Sequence, residues 1–203
     1  MTVSGTIPFA AAAAVAILLG LAFLARLQLA PSGLDPARDA VGAYGTGPYH
    51  WWYRGMLVAF GAGALLLAAA LDRAGGVPAA GPALLAAYGM ARIVTAAFPT
   101  DRDGAAPTAS GRIHTLLAAV AFVAVAVAAP IVSGWLASSG DLPEVAEITR
   151  SVAVMVMVSC AVTLAAGLLP ALRRWFGGFQ RVFYLASQAW LLIVAAQLAV
   201  RGT

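Results

Sequence analysis

With 62% hydrophobic and only 10% charged residues over 203 positions, and a mean hydropathy of +0.90, the chain lies far from a soluble domain, in which roughly 25% of residues are charged. A soluble fold would need polar helices wrapped around these apolar ones, and the sequence contains none. The net charge of +4 is carried by arginines scattered through the connecting segments without a basic run, which excludes nucleic acid as a partner and points to membrane lipids, through attraction to anionic headgroups.

Six stretches contain no Asp, Glu, Lys or Arg: Ile7–Ala25, Gly55–Leu71, Ala74–Ala91, Thr115–Gly140, Ser151–Leu172 and Val182–Val200. A hydrocarbon core of about 30 Å needs roughly 20 such residues in a helix. The expected fold is therefore all-α: a polytopic membrane protein in which six transmembrane helices form a bundle, one integral membrane domain over residues 1–203. The first helix is expected over about 6–29. It is too long for a signal-peptide core and has no basic residue before it, so it reads as retained. Helix 2 follows at 50–71, helix 3 at 80–98, helix 4 at 112–136, helix 5 at 149–171 and helix 6 at 178–200. Pro31, Pro36 and Pro48 bracket the first loop, Pro78 and Pro82 the second, and Pro99 and Pro107 the third, because proline lacks a donor and restricts its predecessor. Pro130 is expected to kink helix 4 near its end, and Pro170 to help end helix 5.

This threading places loops 1, 3 and 5 on one face with eight arginines: Arg26, Arg38, Arg54, Arg102, Arg112, Arg173, Arg174 and Arg181. The opposite face has three, Arg73, Arg150 and Arg201, while the acidic residues divide evenly. The positive-inside rule then puts loops 1, 3 and 5 in the cytoplasm and both termini outside, in a multi-pass protein of the cell membrane. Loop 4, with Asp141, Glu144 and Glu147, fits an external loop. The cytoplasmic turns share proline, arginine and glycine near aromatics, a pattern that either a threefold hairpin repeat or ordinary interfacial anchoring produces.

Polar chemistry concentrates on the arginine-rich face. Loop 3 holds Asp101, Arg102, Asp103, Arg112 and His114; loop 1 contributes Asp35, Arg38, Asp39, Tyr44 and Tyr49, followed by His50 and Arg54. A carboxylate with an imidazole can form an acid–base pair, which makes Asp101 and His114 the candidates if the protein is an enzyme. The plainer alternative is that Asp101 caps a helix end and His114 bonds a loop carbonyl. The two histidines and the aspartates match no metal-ligand spacing, so no metal site is assigned; no cofactor is indicated. Cys160, the single cysteine, reads as a small packing residue, and Ser159 and Thr163 likewise.

Arg92 lies six residues before Phe98, about 9 Å inside the expected helix end. Such a residue costs roughly 2.5–3.5 kcal/mol to insert and normally faces the bundle or snorkels out. Tyr88, Arg92 and Thr95 form one polar stripe, and Asp39, Asp101 or Asp103 are within its expected reach. A structural ion pair and coordination of an anionic headgroup are the two readings. Gln180, Tyr184 and Gln188 make a second stripe on helix 6, read as interhelical hydrogen bonding; if it meets Arg92, the two line a polar pocket.

Several segments carry a resemblance. Pro31 with Asp35 and Asp39, the Ala43-Tyr44-Gly45-Thr46-Gly47 run, Phe98-Pro99-Thr100-Asp101 followed by Gly111-Arg112-Ile113-His114, and Gly178-Phe179-Gln180-Arg181 with Trp190 together resemble a family of small bacterial and archaeal membrane proteins catalogued as a domain of unknown function, number 998. Ala43 stands where that family commonly has serine. The resemblance spans nearly the whole chain, implies six helices and marks Asp101 and His114 as positions of interest, without supplying a reaction. The functional expectation is a site for a polar or anionic lipid headgroup or small ligand on the cytoplasmic side, framed by Arg92, Asp101, Arg112, His114, Asp39, Tyr44, His50, Tyr88 and Gln188. The rivals are a membrane-embedded lipid hydrolase or transferase and, third, a small secondary transporter.

Overall fold

In a computed structural model of the chain, residues 5–102, 104–139 and 143–201 are described, Arg201 by its backbone alone. Asp103 and Asp141 therefore lie outside the described residues. All regular structure among these is helical: α1 (Ile7–Gln28), α2 (His50–Ala74), α3 (Ala80–Thr95), α4 (Ala109–Ser138), α5 (Pro143–Leu168) and α6 (Phe176–Arg201), with short 3-10 turns at Val41–Thr46 and Arg173–Trp175. Five of the six α-helices are long and apolar enough to cross a membrane; α3, with 16 residues, spans only about 24 Å. Its C-terminal end tightens into 3-10-type bonds from Ala96, Ala97 and Phe98 to Ile93, Val94 and Thr95, so Arg92 sits only three residues before the last α-helical position, nearer the end than expected.

The helix ends follow local chemistry. The α4 helix starts at Ala109, earlier than expected, because the Thr108 hydroxyl accepts from the Gly111 amide at 3.0 Å and satisfies a first-turn donor. Likewise α5 starts at Pro143, where proline loses nothing at the first helical position. Glu144 and Glu147, expected in a loop, are therefore in its first turns, and Arg150 pairs with Glu147 across 3.9 Å on an exposed face. At its other end α5 stops at Leu168, short of the expected 171. Gly75, after α2, has φ +74°, a conformation open to glycine at little steric cost.

Apolar side chains occupy the outside of the bundle as well as its core. On α1 the stripe Ala10, Ala13, Ile17, Gly20, Leu24 and Leu27 is buried, at helical spacing, while Val15, Leu18 and Leu19 are at least half exposed. Apolar side chains on the outside suit a lipid solvent. Each helix packs on its neighbours in sequence and α6 closes the ring against α1, with further contacts to α2 and α4. Close approach is set by glycine: a Cβ on Gly61 of α2 would lie 2.6 Å from the Gly89 carbonyl oxygen of α3, and one on Gly89 2.7 Å from that of Gly61. This contact draws the α3 turn that bears Arg92 against α2.

Candidate ligand-binding site

Three loops meet at one end of the ring. Loop 1 is fastened to the start of α6: the amides of Gly177 and Gly178 donate to the carbonyls of Arg38 (3.2 Å) and Ala37 (2.9 Å). Arg181 Nη1 donates to the Pro36, Asp39 and Gly177 carbonyls, and its Nε to Gln28 Oε1 at 2.6 Å. The Val41 amide donates to Gln180 Oε1 at 2.7 Å. The Gly-Gly-Phe-Gln-Arg run thus works as a dock for loop 1, and a Cβ on Gly177 would collide with the Asp39 and Pro36 carbonyl oxygens.

Loop 3 is fastened to α4 in the same manner. Asp101 accepts from the Thr108 hydroxyl (2.6 Å) and amide (3.1 Å), and these bonds hold its carboxyl below the usual carboxylate range, with Arg112 and His114 adding to the effect. Gly111 leaves the space that the Asp101 carboxylate fills. His114 Nδ1 lies 2.7 Å from the Phe98 carbonyl oxygen, and its ring stacks on Tyr53 with centroids 6.3 Å apart. Asp101 and His114 therefore do not bond each other. The spacing that singled them out reflects two separate ties between loop 3 and α4.

Between α3, α4, α5 and α6, beneath these loops, runs a cleft of about 1050 Å³. Arg92 is 2% exposed at its floor. Its Nη1 donates to the Tyr184 hydroxyl at 2.7 Å, and the guanidinium lies 4.6 Å from the Tyr184 ring centroid and 5.9 Å from that of Phe60, within cation–π range. Its Nε and Nη2 have no hydrogen-bond partner. The expected ion pair is absent for two of the three carboxylates: Asp39 Oδ2 accepts from the Asp35 amide, Asp101 is held by Thr108, and Asp103 lies outside the described residues. Helix 6 does meet Arg92, through Tyr184. One turn deeper, Gln188 Nε2 donates to the Tyr88 hydroxyl at 2.9 Å, so Tyr88 and Gln188 brace the floor behind Arg92 without lining the cleft.

The remaining expected residues divide. Asp39 and His114 line the cleft, and Arg38, Arg173 and Arg174 stand exposed at its mouth. Arg112 is exposed and outside the lining. Tyr44 is buried in the 3-10 turn of loop 1 and faces a smaller hollow of about 240 Å³ with Tyr49 and Arg102. His50 bonds the Gly47 carbonyl through Nδ1 at 3.0 Å and packs on Trp51, while Arg54 lies over the same Trp51 ring; both belong to the outer face. Tyr53 was missed within its aromatic run, although its helical spacing to Met56, Leu57 and Phe60, all buried, separates it from the exposed Trp51 and Trp52. Among the described residues no three His, Cys, Asp or Glu side chains come together as a metal site. A family model described as "Protein of unknown function (DUF998)" matches residues 11–197. No curated protein and no solved structure matches the chain.

Proposed function

The chain belongs to this family, and we propose that it is a multi-pass membrane protein whose cleft binds the anionic headgroup of a lipid, with Arg92 as anchor. The observation that carries this reading is a guanidinium 2% exposed with Nε and Nη2 unpartnered. A buried cation whose donors are only partly satisfied is costly, and those two nitrogens share the side edge of the guanidinium, whose parallel N–H groups match two oxygens of a phosphate or carboxylate. The walls favour an amphiphile over a free anion: Phe122, Leu164, Leu168 and Phe176 line the cleft, and Leu168 is 82% exposed on the outer face of α5. Arg38, Arg173 and Arg174 at the mouth draw anions in, opposed by Asp39. In this reading α3 also crosses the membrane, shortened where the cleft admits the headgroup, and the arginine-rich loops face the cytoplasm. The rival hydrolase or transferase has less support, because Asp101 and His114 are each bonded elsewhere.

Native mass spectrometry tests the reading. Protein released from detergent is expected to retain anionic phospholipid, and Arg92→Met to lose it, with Arg92→Lys in between because an ammonium has no bidentate edge. Undiminished retention by Arg92→Met would remove the anchor.

A further inference from the structure

His114 presents a second, opposite chemistry to the same cleft. A carbonyl oxygen accepts only, so Nδ1 at 2.7 Å from the Phe98 oxygen carries its proton toward that carbonyl. In the neutral imidazole Nε2 is then an acceptor. Nε2 faces Gly42 of loop 1, where an added Cβ would lie 3.2 Å from it and 3.7 Å from the Tyr53 hydroxyl. Both Gly42 and His114 line the cleft, and no hydrogen bond joins Nε2 to Tyr53 or to any other described side chain. Two residues lining the cleft thus carry complementary chemistry: Arg92 has two parallel, unpartnered donors, and His114 has one oriented acceptor beside Gly42, where no side chain stands.

We propose that the ligand is a hydroxylated anionic headgroup, a polyol phosphodiester, whose phosphate oxygens take the Arg92 edge and whose free hydroxyl donates to His114 Nε2. This rests on the reading that Arg92 holds the anion, and adds the hydroxyl as the feature that selects among anionic lipids. A simple phosphate diester satisfies the donors and leaves the acceptor bare. A quaternary ammonium headgroup fails on both counts, having no proton to give and meeting the mouth arginines with like charge.

Two probes isolate the hydroxyl: phosphatidylglycerol and phosphatidylmethanol with the same acyl chains, both monoanionic phosphodiesters. Titrated into the detergent-purified full chain, phosphatidylglycerol is expected to bind about tenfold more tightly, the worth of one well-placed hydrogen bond. His114→Phe is expected to bring that ratio to parity. Gly42→Ala guards against a fold lost with the Phe98 tie, since it leaves His114 in place, blocks the approach to Nε2, and is expected to collapse the same ratio. Equal binding of the two lipids by the wild-type protein overturns the hydroxyl inference and leaves the anion reading standing. Binding of both that survives Arg92→Met overturns the anion reading and this inference with it. Soluble glycerol phosphate competing at the same concentration as the lipid would support the recognition chemistry and assign its source to a free polyol phosphate; failure to compete supports the lipid.

Discussion

Arg92 is the residue at which packing and function make opposite demands. Its Nη1 bond to Tyr184 and its place against Phe60 hold the guanidinium in one orientation, yet two nitrogens face no acceptor. A buried cation whose donors are only partly met carries an uncompensated desolvation cost, which a hydrophobe of similar length removes. Arg92→Met is therefore expected to raise the melting temperature of lipid-free protein by a few degrees, at roughly 2–4 °C per kcal/mol for a chain of this size. It is also expected to cancel any increase that added anionic lipid gives the wild type. A lower melting temperature without lipid would identify Arg92 as packing glue instead. Its burial was legible from its place inside the expected helix 3, since an arginine there must face the bundle or snorkel out. Its partner was not: a carboxylate from a neighbouring loop is the natural guess, and Tyr184, on a helix 92 residues away, is what the packing delivers.

Asp101 shows the converse. Sequence spacing couples it to His114, but its oxygens are taken by Thr108. Because those bonds lower its folded-state pKa, the stability it contributes is present above the unfolded value of about 3.9 and is lost as pH falls through the lower folded value. Thermal melts of wild type and Asp101→Asn should thus differ at pH 6, wild type being the more stable, and converge toward pH 3. A gap that does not narrow on acidification would show that the charge is irrelevant to the cap.

At the scale of elements, charge-free stretches located all six α-helices, because backbone N–H and C=O groups in an apolar solvent must pair within their own segment. The starts of α4 and α5 were misjudged for one reason: Thr108 and Pro143 read as loop residues, and both are helix-initiating in context. The docking of loop 1 on α6 was invisible, since the glycines and arginine of Gly177–Arg181 have no periodicity and act by donating to another segment's backbone carbonyls. Gly177→Ala tests that dock. A Cβ there has no room against the Asp39 and Pro36 carbonyls, and overpacking of this kind typically costs about 1–3 kcal/mol. The variant is expected to release loop 1, seen as faster tryptic cleavage after the exposed Arg38 and weaker lipid retention. Cleavage at the wild-type rate would show that loop 1 keeps its place without α6.

For the molecule as a whole, ring closure is what makes a cleft of distant segments. Contacts between sequential helices follow from short connections, whereas the α1–α6 contact brings Arg181 to Gln28 and loop 1 over the start of α6. Only then do Arg38, His114 and Arg174 become neighbours of one opening. Sidedness follows from the same frame. If α3 crosses the membrane despite its 16 residues, loops 1, 3 and 5 share a side, which the positive-inside rule predicts to be the cytoplasmic one. Cys160, the only native cysteine, is buried and gives a quiet background for labelling. Ala106→Cys in loop 3 and Ala79→Cys before α3, both at exposed positions, are expected to react with a membrane-impermeant maleimide from opposite sides, Ala79→Cys in intact cells and Ala106→Cys only after permeabilisation. Reaction of both in intact cells would mean that α3 does not cross. Reaction of Ala106→Cys alone would turn the cleft to face the outside, where the anionic lipids of the inner leaflet cannot reach it.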